Sequence, residues 1–391
     1  MPYDLAIVGL GPSSAAMAIT YKRLNPNKSV CILEKYPIAL RKLSSTGNGK
    51  GNFTNDNLSP LIYDNSEFVS EVFGDYPKEK LLSFIESLNL KYFKDEEGRY
   101  YPLSLSAKTI SHALLRELAM LDVEIFYEYF VEKVYKNEEG RFIIETINDT
   151  ISGWSLALAT GSINYQSLGG DGNMFLSCKD FGHTVTKIVQ SNIYIKVKEK
   201  DITKRLSGLR FNARVYLIND GEEYYHEDGE LLFKDNALSG IVTLNVSNRL
   251  ARLYKKGLDS NPEIVIDFLK DQDTEEIVNY IFNSKNVYES LYNIVHPELA
   301  KLIYERYGKN NKEIVQNLFS MKFTVSGLGD LENAQATSGG IPTTELNSTL
   351  ESKIVKNLYI LGDLVDTDAP SGGFNLSFAF LSGIKAGESC E

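Results

Sequence analysis

Cysteine, tryptophan and histidine are scarce in this chain of 391 residues, and their scarcity excludes several classes of protein. The three cysteines, Cys31, Cys178 and Cys390, lie far apart in the sequence. This spacing predicts neither a disulfide framework nor a cysteine metal site, and it fits a reducing cytoplasm. The four histidines are equally scattered, and no pair has the spacing of metal ligands. We therefore expect no metal in the functional site.

Long apolar runs and an excess of positive charge are also missing. No apolar stretch is long enough to cross a bilayer, and the apolar run near the N-terminus is too short for a signal peptide. Lys and Arg together number 41 against 52 Asp and Glu, which gives a net charge of −11 at pH 7. Because a basic surplus is needed to neutralise phosphates, this charge opposes a nucleic-acid partner. The sequence thus predicts a cytoplasmic protein with no membrane or nucleic-acid partner, and it leaves the oligomeric state open.

The first feature that is present is a strand followed by a glycine-rich turn. Residues 5–8, Leu-Ala-Ile-Val, form a short apolar run typical of a buried strand. Gly9 and Gly11 then permit a tight turn and a close approach of bare backbone to an anion. The alanine-rich stretch that follows predicts a helix whose N-terminal amides and dipole would face a pyrophosphate. Ser14 stands at the third glycine position of this fingerprint, where a small residue is favoured and where a hydroxyl could also hold phosphate.

A second apolar run, residues 29–33, ends at Glu34. This acid lies 20 residues past Ser14 (34 − 14 = 20), the separation expected for a carboxylate that accepts hydrogen bonds from ribose hydroxyls. Strand, turn, helix, second strand and acid in this order predict a bound dinucleotide. The alternative interpretation is an α/β turn that binds nothing.

The C-terminal segment indicates which dinucleotide is bound. Residues 358–361 form another apolar strand, which ends at Gly362 and Asp363, and a helix is predicted from Phe374 to Ala386. A flavin extends well past the pyrophosphate, so Asp363 would accept from its ribityl hydroxyls. The helix from Phe374 would direct its amides at the flavin pyrimidine, where reduced flavin holds negative charge. The alternative is a Gly-Asp turn followed by a helix that only packs in the core.

Between these two ends the predicted pattern of secondary structure changes. Residues 188–246 are strand-like, with turns predicted at Asn219–Gly221 and His226–Gly229, and helices are predicted over residues 274–282, 297–307 and 312–319. We therefore predict an α/β fold in which residues 1–190 and 325–391 form a nucleotide-binding domain. Residues 191–324 would form an inserted β-rich and helical substrate domain.

Short motifs occur in order over nearly the whole chain. They are Gly9-x-Gly11, residues 46–55 (Thr-Gly-Asn-Gly-Lys-Gly-Asn-Phe-Thr-Asn), 98–102 (Gly-Arg-Tyr-Tyr-Pro), 159–161 (Ala-Thr-Gly), 170–172 (Gly-Asp-Gly), 229–233 (Gly-Glu-Leu-Leu-Phe), 238–240 (Leu-Ser-Gly), 337–340 (Thr-Ser-Gly-Gly), 351–353 (Glu-Ser-Lys) and 372–375 (Gly-Gly-Phe-Asn). This set resembles the motifs of a known family, the bacterial FAD-dependent oxidoreductases that include aminoacetone oxidase and BaiN-like flavoproteins. The asparagine-rich loop and the Gly-Gly-Phe-Asn turn are the most specific of these motifs.

The resemblance implies a glutathione-reductase-like FAD-binding Rossmann domain built from both chain ends, with FAD as cofactor. NAD(P)H is a separate candidate, as a transient donor, under the interpretation that the protein is a reductase. The chain departs from the family at Lys50 and Gly51, where the usual residues are Arg and Cys, and at Asp363, where Glu is usual. The predicted cofactor-binding residues are Gly9, Gly11, Pro12, Ser13, Ser14, Glu34, Lys35, Lys42, Thr46, Gly47, Asn48, Gly49, Asn52, Val131, Ala159, Thr160, Gly161, Gly362, Asp363, Gly373, Phe374, Asn375 and Leu376.

Two residues are candidates for the chemical step. The loop over residues 46–55 is predicted to be irregular and to form a cavity wall, in which Lys50 would hold an anionic substrate or stabilise reduced flavin. Tyr101 could deliver a proton to the carbon opposite a transferred hydride. The alternatives are a loop that hydrogen-bonds only to itself and a tyrosine that only packs.

Three functions remain open at this point. The first is an NAD(P)H-linked reductase of an unsaturated or carbonyl substrate, acting through flavin N5. The second is an oxygen-using oxidase or dehydrogenase of a small amine or alcohol, and the third is a non-catalytic flavin-binding redox sensor or partner-binding module. A flavin-dependent RNA-modifying enzyme ranks fourth because of the acidic charge.

Overall fold

The structure is a computed structural model that describes residues 1–258 and 261–391. Its residues cluster into two compact units, one comprising Met1–Val189 and Leu331–Glu391 and the other Gln190–Asp330. Within the described residues, no helix is both long enough and apolar enough to span a membrane.

The strands in chain order are β1 (Tyr3–Val8), β2 (Val30–Glu34), β3 (Thr54–Asn55), β4 (Tyr92–Lys94), β5 (Arg99–Pro102), β6 (Glu124–Tyr127), β7 (Val131–Lys136), β8 (Phe142–Thr146), β9 (Thr150–Leu158), β10 (Val189–Ser191), β11 (Ile195–Val197), β12 (Arg210–Asn219), β13 (Glu222–Lys234), β14 (Ala237–Ser239), β15 (Glu263–Asp267), β16 (Met321–Leu328), β17 (Ala336–Ser338) and β18 (Leu358–Ile360).

The α-helices in chain order are α1 (Pro12–Leu24), α2 (Arg41–Ser44), α3 (Ser66–Phe73), α4 (Pro77–Ser87), α5 (Ala107–Met120), α6 (Met174–Asp180), α7 (Lys200–Arg205), α8 (Ile241–Lys256), α9 (Thr274–Phe282), α10 (Val287–Ile294), α11 (Pro297–Tyr307), α12 (Asn311–Phe319) and α13 (Phe374–Ser389).

The first unit is built on a sheet with strand order β6-β2-β1-β9-β8-β7, in which β18 also pairs with β9. The pairs β2–β6, β1–β2, β1–β9 and β9–β18 are parallel, whereas β7–β8 and β8–β9 are antiparallel. The core strand β1 is apolar on both faces because α1 and its neighbours cover it, so Leu5, Ala6 and Ile7 are fully buried. The carboxyl ends of β1, β2, β9 and β18 therefore meet at one edge of the sheet. This Rossmann arrangement, built from both chain ends, confirms the predicted fold class.

Helices α1 and α13 pack closely against each other because α13 carries glycine at the points of contact. A Cβ at Gly383 would lie 2.0 Å from the carbonyl oxygen of Ser13, and one at Gly387 would lie 2.6 Å from that of Met17. Any larger side chain at either position would push the helices apart. This packing fixes the C-terminal helix beside the glycine-rich turn.

The second unit is a closed six-stranded antiparallel barrel with strand order β11-β14-β13-β12-β15-β16, together with α7 to α12. Phe233 and Phe323 are fully buried in its core, with ring centroids 6.0 Å apart. The predicted domain boundary after residue 324 is corrected, because it would cut β16, which closes the barrel. The unit ends instead at Asp330.

Two further expectations for this unit are wrong. Residues 241–246 are predicted to be strand-like, but they form the first part of helix α8. Val242, Val246 and Leu250 repeat at helical spacing and are fully buried. The predicted turn at His226–Gly229 lies inside the continuous strand β13. Gly229 packs there against α8, and a Cβ at this position would lie 3.6 Å from the side chains of Ile241 and Val242, which is an ordinary van der Waals distance.

Candidate functional site

The turn between β1 and α1 is held in place by backbone contacts that only glycine permits. Gly9 has a φ of +92°, and a Cβ there would lie 2.9 Å from the carbonyl oxygen of Ala159. Its amide donates to the carbonyl of Leu33 at 2.8 Å, which ties the turn to the end of β2. Helix α1 then begins at Pro12, with Gly11 as its N-cap. The first-turn amides and the positive end of the helix dipole lie at a cleft, where an anion is stabilised.

Ser14, at the third glycine position, supports the turn and does not line the cleft. Its hydroxyl accepts from the Gly11 amide at 2.7 Å and donates to the Gly11 carbonyl at 2.9 Å. The side chain is fully buried and its hydroxyl bonds to Gly11, and its role in holding phosphate stays a prediction. Its neighbours Pro12 and Ser13 do line the cleft.

Glu34 lies at the end of β2 with its carboxylate fixed by backbone amides. The amides of Leu10 and Tyr36 each donate to one of its oxygens at 3.0 Å. Burial raises the pKa of this carboxyl, and the two backbone hydrogen bonds act in the opposite direction. Each oxygen keeps a second lone pair, and the residue lines the cleft. Its role as the acceptor for ribose hydroxyls stays a prediction.

Another part of the cleft wall is formed where residues from the two chain ends meet. Lys42 Nζ lies 2.5 Å from Asp363 Oδ2 and 3.0 Å from Asn164 Oδ1. Gly362, before that acid, has a φ of +60°, and a Cβ there would lie 3.0 Å from Ser13 Oγ. Asp363 is therefore held beside the N-terminus of α1. Its role as an acceptor of ribityl hydroxyls stays a prediction.

Helix α13 begins at a double-glycine turn that packs against β3. A Cβ at Gly373 would lie 2.8 Å from the carbonyl oxygen of Thr54, and the Gly372 carbonyl accepts from Asn55 Nδ2 at 3.2 Å. The Asn375 side chain accepts from the Ala369 amide at 2.9 Å and donates to the Ala369 carbonyl at 2.7 Å. Asn375 thus fixes the turn as well as lining the cleft, beside Leu376.

The loop over residues 46–55 is more ordered than predicted, since it contains the turn 46–51 and ends in β3. The Gly51 amide donates to the Thr46 carbonyl at 3.1 Å, and the Gly49 carbonyl accepts from the Ala107 amide at 2.8 Å. A Cβ at Gly51 would lie 2.8 Å from Ala107 Cα, so this turn has no room for the cysteine that is usual in the resembling family.

The predicted residues of this loop divide into two groups. Thr46 lines the cleft, whereas Gly47, Asn48 and Lys50 are exposed and lie outside its lining. Gly49 and Asn52 are also outside the lining, and Asn52 Oδ1 is buried beside Gly373 without a hydrogen-bond partner among the described residues.

Tyr101 also lies away from the cleft lining, on β5. Its ring stacks on Phe93 with centroids 5.8 Å apart, and burial raises the pKa of its hydroxyl. Its neighbour Tyr100 donates to Asp56 at 2.9 Å. The structure therefore does not bring Tyr101 or Lys50 to the nucleotide cleft, and their chemical roles remain predictions.

The cleft itself encloses about 1230 Å³, counting its open mouth. Thr160 Oγ1 in its wall is buried and has no hydrogen-bond partner among the described residues, so it is available to a ligand. Together with the α1 N-terminus, Glu34 and Asp363, it gives a donor and acceptor set that fits FAD. The other predicted residues in the wall are Gly9, Gly11, Lys35, Val131, Ala159, Gly161 and Gly362, while Gly373 and Phe374 lie just outside it.

Sequence reasoning missed part of the wall. Tyr36, Arg41, Asn164, Leu168 and Gly169 all line the cleft, although none was predicted to. Arg41 is adjacent to the predicted site residue Lys42 in the sequence, and this second positive charge could have indicated that Arg41 also lines the cleft. The others lie in irregular loops whose approach to the cleft depends on tertiary contacts.

Comparisons with known proteins also indicate a Rossmann fold. The family model described as "HI0933-like protein Rossmann domain" matches residues 3–389. The 3-dehydro-bile acid delta(4,6)-reductase of Clostridium scindens is 27% identical over 405 residues, which covers 98% of each chain. The ribosomal RNA dihydrouridine synthase of Haemophilus influenzae is 24% identical over 397 residues, which covers 96% of this chain and 95% of that one.

Solved structures show the same fold at lower identity. The 3-ketosteroid-delta4-(5alpha)-dehydrogenase of Rhodococcus jostii superposes with a TM-score of 0.54 at 13% identity, covering 100% of this chain and 96% of that one. The FrdA chain of quinol fumarate reductase from E. coli gives a TM-score of 0.53 at 16% identity, covering 100% of this chain and 70% of that one.

Proposed function

This chain belongs to the HI0933-like family of FAD-binding Rossmann proteins and is an FAD-dependent oxidoreductase, and from that premise we propose that it reduces a carbon–carbon double bond conjugated with a carbonyl group in a small organic substrate. We infer NAD(P)H as the electron donor. The observation that carries the proposal is the end-to-end match with a protein named as a delta(4,6)-reductase, combined with a cleft that fits FAD.

The residues of the chain have separate roles in this proposal. The glycine-rich turn and the α1 N-terminus would bind the pyrophosphate, Glu34 the adenosine ribose and Asp363 the ribityl chain. Helix α13 would direct its N-terminal amides at the flavin pyrimidine, where they favour the reduced state. When bound, FAD supplies hydride transfer through N5, and the protein supplies orientation and electrostatics.

Anaerobic spectroscopy of the purified protein tests this function. We expect NADH or NADPH to bleach the flavin absorbance and a 3-oxo-Δ4 steroid, used as an enone probe, to restore it. Peroxide release on addition of an amine or alcohol would instead support the oxidase alternative. Bound FAD that neither nicotinamides nor amines and alcohols reduce would support the redox sensor.

A second candidate is the reduction of uridine in ribosomal RNA. The observation that favours it is the match with ribosomal RNA dihydrouridine synthases from Haemophilus influenzae and E. coli, at 24% and 23% identity. The net charge of −11 opposes it, because RNA binding depends on neutralising phosphates. Incubating the reduced protein with unmodified ribosomal RNA and measuring dihydrouridine decides between the two, since only the RNA enzyme would form it.

A further inference from the structure

Two loops of the first unit meet at the cleft. One follows β2 and carries Lys35, Tyr36 and Arg41, and the other follows β9 and carries Ser167, Gly169 and Asp171. We define these six residues as the latch. Since β2 and β9 are the two neighbours of β1 in the sheet, contacts between their following loops must cross the end of β1, where the glycine-rich turn lies.

The latch is held by charged hydrogen bonds from one loop to the other. Lys35 Nζ donates to the Gly169 carbonyl at 2.7 Å and to Asp171 Oδ2 at 2.5 Å. An Arg41 guanidinium nitrogen donates to the Ser167 carbonyl at 2.8 Å. Hydrogen bonds that involve an ionised partner are stronger than neutral ones, so these contacts favour the closed arrangement.

Packing of Tyr36 completes the latch. The Arg41 guanidinium lies 4.1 Å from the centroid of the Tyr36 ring, in cation–π geometry. Gly169 has a φ of +113°, and a Cβ at that position would lie 2.9 Å from Tyr36 Cε2. Glycine is therefore required at residue 169 both for its backbone conformation and for the approach of the ring.

Lys35, Tyr36, Arg41 and Gly169 all line the nucleotide cleft. We propose that the latch closes over the adenosine half of bound FAD and that its opening limits the rate at which FAD enters and leaves. The location next to Glu34, the predicted ribose acceptor, is what assigns it to the adenosine half. The inference rests on FAD binding and on no part of the proposed substrate.

Flavin exchange kinetics test the latch. Because the closed latch hinders movement in both directions, weakening it should speed both association and dissociation of FAD. Asp171→Asn removes one exposed ion-pair partner and should raise both rates about two- to fivefold. Gly169→Ala forces a strained backbone and crowds Tyr36, and should raise both rates about tenfold.

Matched controls separate the latch from general destabilisation. Gly140→Ala places the same change at a φ of +80° in a hairpin turn with nothing within 4 Å, and Asp180→Asn removes an exposed acid at the end of α6. Both should exchange FAD at the wild-type rates. The proposal is overturned if the latch variants exchange FAD at wild-type rates or if only dissociation of FAD becomes faster. It is also overturned if the control variants exchange FAD as fast as the latch variants do.

The measurement uses the purified holoprotein, with radiolabelled FAD to follow exchange and apoprotein to follow association. A wild-type protein that carries no FAD and takes up none would refute the cofactor assignment itself. That outcome is distinct from one in which the wild-type protein binds FAD but the Gly169→Ala variant exchanges FAD at the wild-type rates, which would refute the latch alone.

Discussion

Lys42 and Asp363 form an ion pair of 2.5 Å although 321 positions separate them in the chain. One residue follows the second strand of the sheet, and the other follows the last. Both side chains are about one-third exposed, so the pair alone adds little to the free energy of folding. Its importance is positional, because it places an acid from the C-terminal segment beside the cleft that the N-terminal segment builds.

Asp363→Ala should weaken FAD binding by about tenfold to a hundredfold, since hydrogen bonds to a charged group contribute about 1.5–3 kcal/mol. Titration of apoprotein with FAD, followed by flavin fluorescence, measures the Kd. The control is Asp75→Ala, which removes an exposed acid outside the cleft lining. Equal affinities for the Asp363 variant and the wild type would show that this carboxylate does not contact the cofactor.

Gly9→Ala and Gly11→Ala should separate folding from FAD binding. At Gly9 the φ of +92° and the 2.9 Å approach to Ala159 predict a loss of at least about 1–3 kcal/mol of stability. At Gly11 the φ is −113° and the nearest atom to a new Cβ is 3.9 Å away, so the apoprotein should keep its Tm. The new methyl group would nevertheless meet the pyrophosphate, so FAD affinity should fall.

Thermal melts and FAD titrations on the two variants check this. A Gly11 variant that binds FAD as the wild type does would place the pyrophosphate elsewhere. A Gly9 variant with an unchanged Tm would contradict the close contact with Ala159, the residue that follows β9.

The sequence predicted the elements whose signal is local. Residues 5–8 of β1, residues 30–33 of β2 and all of β18 are continuous apolar runs, and α13 follows a double glycine, so each was identified from residues within one segment. Helix α8 was not identified, because its β-branched residues favour strand and its burial against β13 is a tertiary contact. The contribution of Tyr36, Arg41 and Gly169 to the cleft wall could not be predicted either, because it depends on two loops far apart in sequence.

Asp56 should contribute a pH-dependent part of the stability. Lys94 at 2.6 Å, Lys78 at 3.0 Å and Tyr100 at 2.9 Å all bond to this carboxylate and lower its pKa below the usual 3.8. Since the folded pKa is depressed, the stabilisation is present above about pH 4 and is lost as pH falls through the folded value. Asp56→Asn should therefore have a lower Tm than wild type at neutral pH.

The difference in Tm between wild type and Asp56→Asn should shrink below about pH 4. Melting curves across the acid range measure it. Asp75→Asn, which removes an exposed acid, serves as the reference for the loss of one surface charge. A constant difference for Asp56→Asn would contradict the assigned ion pairs.

Lys50→Ala tests whether the exposed loop recognises substrate. Among the described residues Lys50 makes no side-chain hydrogen bond or ion pair, so the variant should keep its Tm and FAD content. If Lys50 holds an anionic substrate, KM should rise about tenfold with kcat preserved. The lost interaction would be equally strong in the ground state and in the transition state. Lys50→Arg should keep most of the affinity because the charge remains. Lys91→Ala is the matched surface control, and equal KM values for both alanine variants would exclude the role.

Tyr101→Phe tests proton delivery in the step that consumes the hydride. Because burial raises the pKa of this hydroxyl, the phenol stays protonated at neutral pH and can act as an acid. Reduction of the flavin by NAD(P)H needs no such proton donor, whereas reduction of the substrate double bond does. In stopped-flow experiments the flavin of the variant should therefore be reduced at the wild-type rate and be reoxidised by substrate about a hundredfold more slowly.

Phe93→Leu is the control, because it removes the stacking partner and keeps the hydroxyl, so its flavin should be reoxidised at the wild-type rate. If Tyr101→Phe reoxidises as fast as wild type, the ring only packs against Phe93 and the proton comes from another group.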